Sequence, residues 1–201
     1  MTDVKCEKKG MIIPTYIPKK AHELPMFFEN KPYQGASGRV YPIPYCDGIS
    51  DEKTDVEYET YTLENEYVKT QVVPALGGKI LRGYDKVGRY DFIYYNEVVK
   101  PALVGLAGPW ISGGIEFNWP QHHRPTTFMP LEAVEEDNPD GGKTVWTGEV
   151  EPFGRMKGMA GVTVDKGRSY IKAKVRVYNR TALPQLFMWW ANLAVPVNDA
   201  Y

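Results

Sequence analysis

From Val56 onward, polar and apolar residues alternate in short runs separated by turn residues, which is the pattern of antiparallel strands. VEYETYTLEN alternates, and EYVKTQVVP follows a turn at Glu64-Asn65. KILRGYD comes after Leu76-Gly77-Gly78 and is closed by the turn Asp85-Lys86-Val87-Gly88-Arg89, and DFIYYN is expected to extend the meander. The acidic stretch Glu132 to Asp137 reads as a solvated loop. The turn Asn138-Pro139-Asp140-Gly141-Gly142 then predicts a hairpin, and KTVWTGEVEP, GMAGVTVDK and RSYIKAKVRVYN read as three more strands, the last two joined at Asp165-Lys166-Gly167-Arg168. In the last of these, Tyr170, Lys172, Lys174, Arg176 and Tyr178 share one face, and Ile171, Ala173, Val175 and Val177 share the other. One wet face and one buried face are expected.

QLFMWWANLAVPVND is nearly continuous in apolar residues, which predicts a strand covered on both faces with neighbours on both sides. That expectation makes the chain the N-terminal part of a longer β-domain. No amphipathic helix of useful length and no internal repeat interrupts the strand pattern. Residues 1–54 differ: they are rich in Pro, Gly and Lys, and the prolines of YPIPY at Tyr41 to Tyr45 restrict it to an edge or a loop. The expected division is a leader over 1–54, draped on the domain and adding one or two strands, and a β-domain over 55–201.

Composition narrows the function more than the fold. The 201 residues hold 14 Tyr, 16 Pro and 19 Gly, a balance that favours strands and turns. A formal net charge of −1 with both signs interspersed offers no basic face to nucleic acid or anionic lipid, and it suits a small neutral ligand. Cys6 and Cys46 are the only cysteines and have no metal-type spacing, so neither a disulfide framework nor a metal site is expected. With no signal-type or membrane-length apolar run, a soluble cytoplasmic protein is expected. Gly77-Gly78 and Gly113-Gly114 lack the helix and the Gly-Lys-Ser/Thr pattern of a phosphate loop; they suit bulges or positive φ, and no cofactor is expected.

Candidate chemistry concentrates between Gly105 and Pro130, in GLAGPWISGGIEFNWPQHHRPTTFMP. Buried polar side chains need partners, so this mixture suits a loop on a rigid scaffold better than a core strand. Glu116 lies between Trp110 and Trp119, where partial desolvation is expected to raise its pKa toward that of a general acid. The alternative is a carboxylate held by Arg124 or capping the loop. His122 and His123 are adjacent, and an extended backbone sends them to opposite sides, which argues against a shared metal. At least one is assigned to a sugar hydroxyl or a proton, with Arg124 orienting a His or Glu116.

Trp110 and Trp119 offer faces for a pyranose, with Asn118 taking hydroxyls; the alternative is that they fill a core. Trp189 and Trp190 must face opposite ways. Trp190 is assigned to the cleft with Asn192, two residues on and on the same face. Hydrolysis of a glycoside takes two carboxylates, and the candidate partners for Glu116 are Asp85, Asp91 and Glu97.

Several of these segments resemble known families. ENEYVKTQVVPALGGKILRGYDKVGR resembles the opening of the galactose-mutarotase-like supersandwich. YNEVVKPALVGLAGPWISGGIEFNWPQHHRPTTFMP and NRTALPQLFMWWANLAVPVND resemble the DUF5107 family, which is found at the N-terminus of long bacterial proteins bearing tetratricopeptide-type repeats. The resemblance runs from about Asp55 to Tyr201. It implies an all-β, antiparallel β-supersandwich, a carbohydrate ligand on its concave face, and a downstream helical-repeat region as partner.

Aldose epimerases of the superfamily use a His acid in an H-S-Y-F-N-L strand, which falls here on Met188-Trp189-Trp190-Ala191-Asn192-Leu193. The acid position is Met188, which has no proton to give, so mutarotase chemistry as such is not expected. The expected function is a carbohydrate-active domain of the glycoside hydrolase or epimerase type, with Glu116, His123 and His122 as acid/base candidates. The alternative is a non-catalytic carbohydrate-binding or interaction module.

Overall fold

The computed structural model describes residues 3–23, 42–120 and 122–199. The first element lies in the leader and adds a strand, as expected: β1 (Lys5–Pro18) is paired antiparallel with β2 (Ile49–Glu64), from Lys5 opposite Glu64 to Pro18 opposite Ile49. Met11-Ile12-Ile13, an isolated apolar piece in the sequence, supplies Ile13 to the core from within β1. Residue 54, where the leader was expected to end, lies inside β2. Met26-Phe27-Phe28 and Tyr41 of the leader lie outside the described residues.

The meander follows as β3 (Val68–Val73), a 3-10 turn at Pro74–Leu76, β4 (Lys79–Asp85) and β5 (Tyr90–Asp91). Of DFIYYN only its first residue joins a strand; Phe92 N and Ile93 N both reach back to Gly83 O and bend the chain off the sheet. A small hairpin, β6 (Ala102–Gly105) and β7 (Gly108–Trp110), precedes β8 (Ile115–Asn118). Then come β9 (Glu132–Asp137), β10 (Lys143–Val150), β11 (Lys157–Val164), β12 (Ile171–Tyr178) and β13 (Trp190–Leu193). The fold is all-β, and its ladders are antiparallel, with one isolated parallel bridge between Thr15 and Val99 among the described residues.

Two sheets do most of the packing. The larger runs in the order β1-β2-β3-β4-β8-β13 with β5 on β4, and the smaller runs β12-β11-β10-β9. Between them lies one core, in which Val68, Val72, Ile80 and Phe117 of the large sheet meet Val145, Ala160, Val162 and Val164 of the small one. A second core covers the opposite face of the large sheet, where Val73, Leu76 and Leu81 meet Val99 and Ile111 from the connecting loops. Strand alternation makes this possible: Ile80 feeds one core and Leu81 the other.

The acidic stretch Glu132 to Asp137 is strand β9, not a loop. Its charges are exposed on an edge, where Lys143 of β10 lies 2.6 Å from Glu135 and 2.5 Å from Asp137, and charges on an edge strand discourage pairing with other chains. The turn after it forms as expected, with Asn138 N donating to Gly142 O and Gly141 N to Asn138 O.

Two burial expectations are corrected. β12 ends the small sheet and β13 ends the large one, so each has a neighbour on one side only among the described residues. Val175 and Val177, expected in a core, are 38% and 46% exposed, and Leu186, Met188, Leu193 and Val197 around β13 are exposed as well. The apolar faces are where the pattern put them, without cover among the described residues. Between the two edges opens a cleft of about 440 Å³ lined by Ile80, Phe92, Ile115, Ile171, Ala173 and Leu193 among others.

Candidate functional site

The site forms on the face of the large sheet that carries the second core. In β8, Ile115 and Phe117 turn toward the small sheet, so Glu116 and Asn118 turn the other way. β13 pairs with β8 so that Asn192 lies opposite Glu116 and Trp190 opposite Asn118. Residues opposite one another in an antiparallel pair share a face, so these four side chains stand together. On the other side of β8, Ile80 pairs with Ile115, which sets Lys79 beside Glu116. The row Lys79–Glu116–Asn192 therefore crosses three strands.

Tight glycine turns bring the loops onto this row. Gly114 has φ +70°, and a Cβ there would stand 2.1 Å from Ile80 O. Its N–H donates to Tyr94 O and its carbonyl accepts from Ala194 N. Positive φ at Gly77, Gly78, Gly113 and Gly114 agrees with the role expected of both pairs.

Glu116 is the hub. Its Oε2 accepts from Trp110 Nε1 at 3.1 Å, from Asn192 Nδ2 at 3.0 Å and from His123 Nδ1 at 2.9 Å, and Thr127 Oγ1 donates to its Oε1. Asn118 lies beside the carboxylate, although its Nδ2 makes no well-aligned hydrogen bond. Burial on its own pushes the Glu116 carboxyl up. The donors Thr127, Asn118 and Asn192, with the charge of His123, outweigh it and hold the pKa at about 2. This corrects the general-acid expectation, because a carboxylate that is ionised at neutral pH has no proton to give. It is a positioning base for its neighbours.

His122 and His123 are also rearranged relative to expectation. His122 adopts φ 52°, so the backbone is not extended there and both rings end up on one side, 5.4 Å apart and edge to face. His123 stands between Trp110, at 5.6 Å, and Trp190, at 6.4 Å, again edge to face. His123, Trp110, Trp190 and Asn192 are all half-buried, so part of each meets solvent. Among the described residues no group of three or more His, Cys, Asp or Glu is placed to hold a metal ion.

Trp119 and Arg124 are turned inward. Trp119 is 1% exposed and belongs to the core between the sheets, its indole against Gly158. Arg124, also 1% exposed, stacks 4.2 Å over the Trp119 ring and donates to Gly77 O. Its ion pair is with Glu149, at 3.8 Å, rather than with Glu116. No ligand reaches either side chain in this geometry. Trp189 and Trp190 divide as strand alternation requires: Trp189 stacks on Phe117 in the core and Trp190 faces His123.

The candidate second carboxylates lie elsewhere. Asp91 is engaged by Arg82 at 2.5 Å, Asp85 caps its own turn through Val87 N and Gly88 N, and Glu97 is exposed outside the Glu116 network. Sequence reasoning missed Thr127 and Lys79. Thr127 sits in an unremarkable PTTFMP, and only the loop's return to β8 brings it to Glu116. Lys79, 2% exposed, donates to Ile111 O at 3.0 Å; burial brings its ammonium down to about 8, with the Glu116 charge opposing. A lysine directly after Gly-Gly and before the apolar pair Ile80-Leu81 was the available signal.

The fold has a crystallographic counterpart. The chain is similar to a TPR-domain containing protein from Parabacteroides distasonis, with a TM-score of 0.86 and 25% sequence identity over 98% of this chain. It spans 33% of that longer chain. The model of DUF5107, a domain of unknown function, matches residues 36–201, which include every side chain of the Glu116 network, and the chain belongs to that family.

Proposed function

We propose that this chain is a carbohydrate-binding domain whose ligand lies across Trp110, His123 and Trp190, above the Glu116 carboxylate. The observation that carries this reading is the joining of half-exposed aromatic rings to a buried polar hub. Trp110 Nε1, His123 Nδ1 and Asn192 Nδ2 all donate to Glu116 Oε2, which fixes three surface groups in one orientation. Preorganised aromatic faces with a few fixed polar groups suit a sugar, whose C–H faces are apolar and whose rim is hydroxylated.

Isothermal titration of neutral mono- and oligosaccharides onto the chain, with Trp190→Ala and Trp119→Phe beside it, tests the reading. Saturable binding that Trp190→Ala removes and Trp119→Phe keeps is expected. A folded chain that binds none of them overturns it.

A second reading, in which the site also moves a proton, is favoured by the Glu116–His123 pair. A carboxylate on Nδ1 fixes the ring with its lone pair at Nε2, the arrangement of a general base. Epimerisation or glycosidic-bond cleavage of the bound sugar, followed by NMR, would then stop in His123→Asn while binding persists. In the longer proteins of which this fold is a part, such a domain would bring a glycan to the repeat-bearing remainder.

A further inference from the structure

The hydrogen-bond polarity of the same surface sets its preference among sugars, an inference that rests on the carbohydrate reading above. Each side chain that fixes the surface spends a donor on Glu116. Because the carboxylate is ionised and accepts only, the hydrogen between it and His123 sits on Nδ1, and the singly protonated form of His123 presents Nε2 as an acceptor. Asn192 commits one Nδ2 hydrogen in the same way and presents Oδ1, which has no partner among the described residues. Trp110 spends its only donor.

The cations that would welcome a negative ligand are withdrawn. Lys79 and Arg124, whose charges both act on Glu116, are 2% and 1% exposed and donate inward to Ile111 O and Gly77 O. A carboxylate or sulfate at this surface would therefore face two acceptors, with both buried cations turned away from it. A hydroxyl pair would face two acceptors that it can satisfy.

We propose that the site takes neutral sugars through neighbouring hydroxyl donors read by His123 Nε2 and Asn192 Oδ1, and rejects the corresponding acidic sugars.

The test uses matched pairs at pH 8.5 and low salt: methyl glycosides of neutral hexoses against the same glycosides oxidised to uronates. The expected result is that, in every pair that binds, the neutral member binds at least about tenfold tighter. His123→Phe, which keeps a ring between the tryptophans and removes the acceptor, should weaken the neutral member by a similar factor while circular dichroism stays native. Uronates binding as tightly as their neutral partners would overturn the preference and leave the carbohydrate reading standing. Unchanged affinity in folded His123→Phe would overturn the role of Nε2. Failure of every pair to bind a folded chain would remove the carbohydrate reading itself, and this inference with it.

Discussion

His123 Nδ1 lies 2.9 Å from Glu116 Oε2, and the carboxylate it meets is one that its neighbours hold in the ionised form. The pair therefore has a direction: the shared proton belongs to the imidazole, and Nε2 is the ring nitrogen left for a ligand. A residue that looks like the acid from its surroundings in sequence is the anchor of the site instead.

That anchoring has a stability consequence. The Glu116 pKa falls from 4.5 to about 2 on folding. A depressed carboxylate pKa stabilises the fold fully above the unfolded value, and the stabilisation is lost as pH drops from 4.5 toward 2. Glu116→Gln should cost about 3 kcal/mol at pH 7, since an amide also turns N–H groups toward the donors around it. Urea unfolding at pH 7 and at pH 3 checks this: the gap between wild type and variant should narrow in acid. Equal stability at pH 7 would remove the hub role.

Trp119 and Trp190 should separate fold from binding. Trp119 is sealed in the core under Arg124, so Trp119→Phe should cost about 1–2 kcal/mol and leave ligand affinity of the folded fraction unchanged. Trp190 is half-buried beside His123, so Trp190→Ala should lose binding and cost less than about 1 kcal/mol. Thermal unfolding and titration on both variants read the two effects independently.

Glycine substitutions should rank by what the new Cβ meets. At Gly114 it stands 2.1 Å from a backbone oxygen with φ +70°, and relief would have to come from the strand that positions Lys79. At Gly141 the nearest atom is 3.3 Å away in the flexible Lys166 side chain, so only the positive φ is penalised. Gly114→Ala should cost at least about 2 kcal/mol and Gly141→Ala about 1 kcal/mol, measured by denaturant unfolding.

The free edges predict association. Among the described residues β12 and β13 each lack a partner on one side, and Val175, Val177, Leu193 and Val197 are exposed there. The chain by itself should self-associate at high concentration, and Val175→Lys with Val177→Lys should reduce this without loss of stability. Light scattering coupled to size exclusion checks it.

Much of this architecture was legible from alternation and turn residues. The strands from Val56, the turns at Asp85 and Asn138 and the opposite orientations of Trp189 and Trp190 all follow from a period of two. What failed was local pattern read as environment. The alternation of β12 identified its apolar face, but burial depends on what lies across from it, and β12 is an edge. Glu132 to Asp137 looked like a loop because its charges were counted and its neighbour Lys143 was not.

The candidate site was half legible for the same reason. The residues of one stretch could be named, but Thr127, Lys79 and Asn192 reach Glu116 through a loop return and two strand pairings. Register sets those contacts, and composition does not reveal them. The positive φ of His122 reversed the expected placing of the two rings, since a single backbone angle decides which side a side chain takes.

The most direct test is an indole NMR titration. The chain has 5 Trp, each with one Nε1–H resonance that assignment by single Trp→Phe variants can name. On addition of the tightest-binding neutral sugar, the Trp190 and Trp110 resonances should move, while Trp119, Trp146 and Trp189, which point into cores or sheet contacts, should stay. Movement confined to those three, or no movement with any sugar, would contradict a ligand surface built on Glu116.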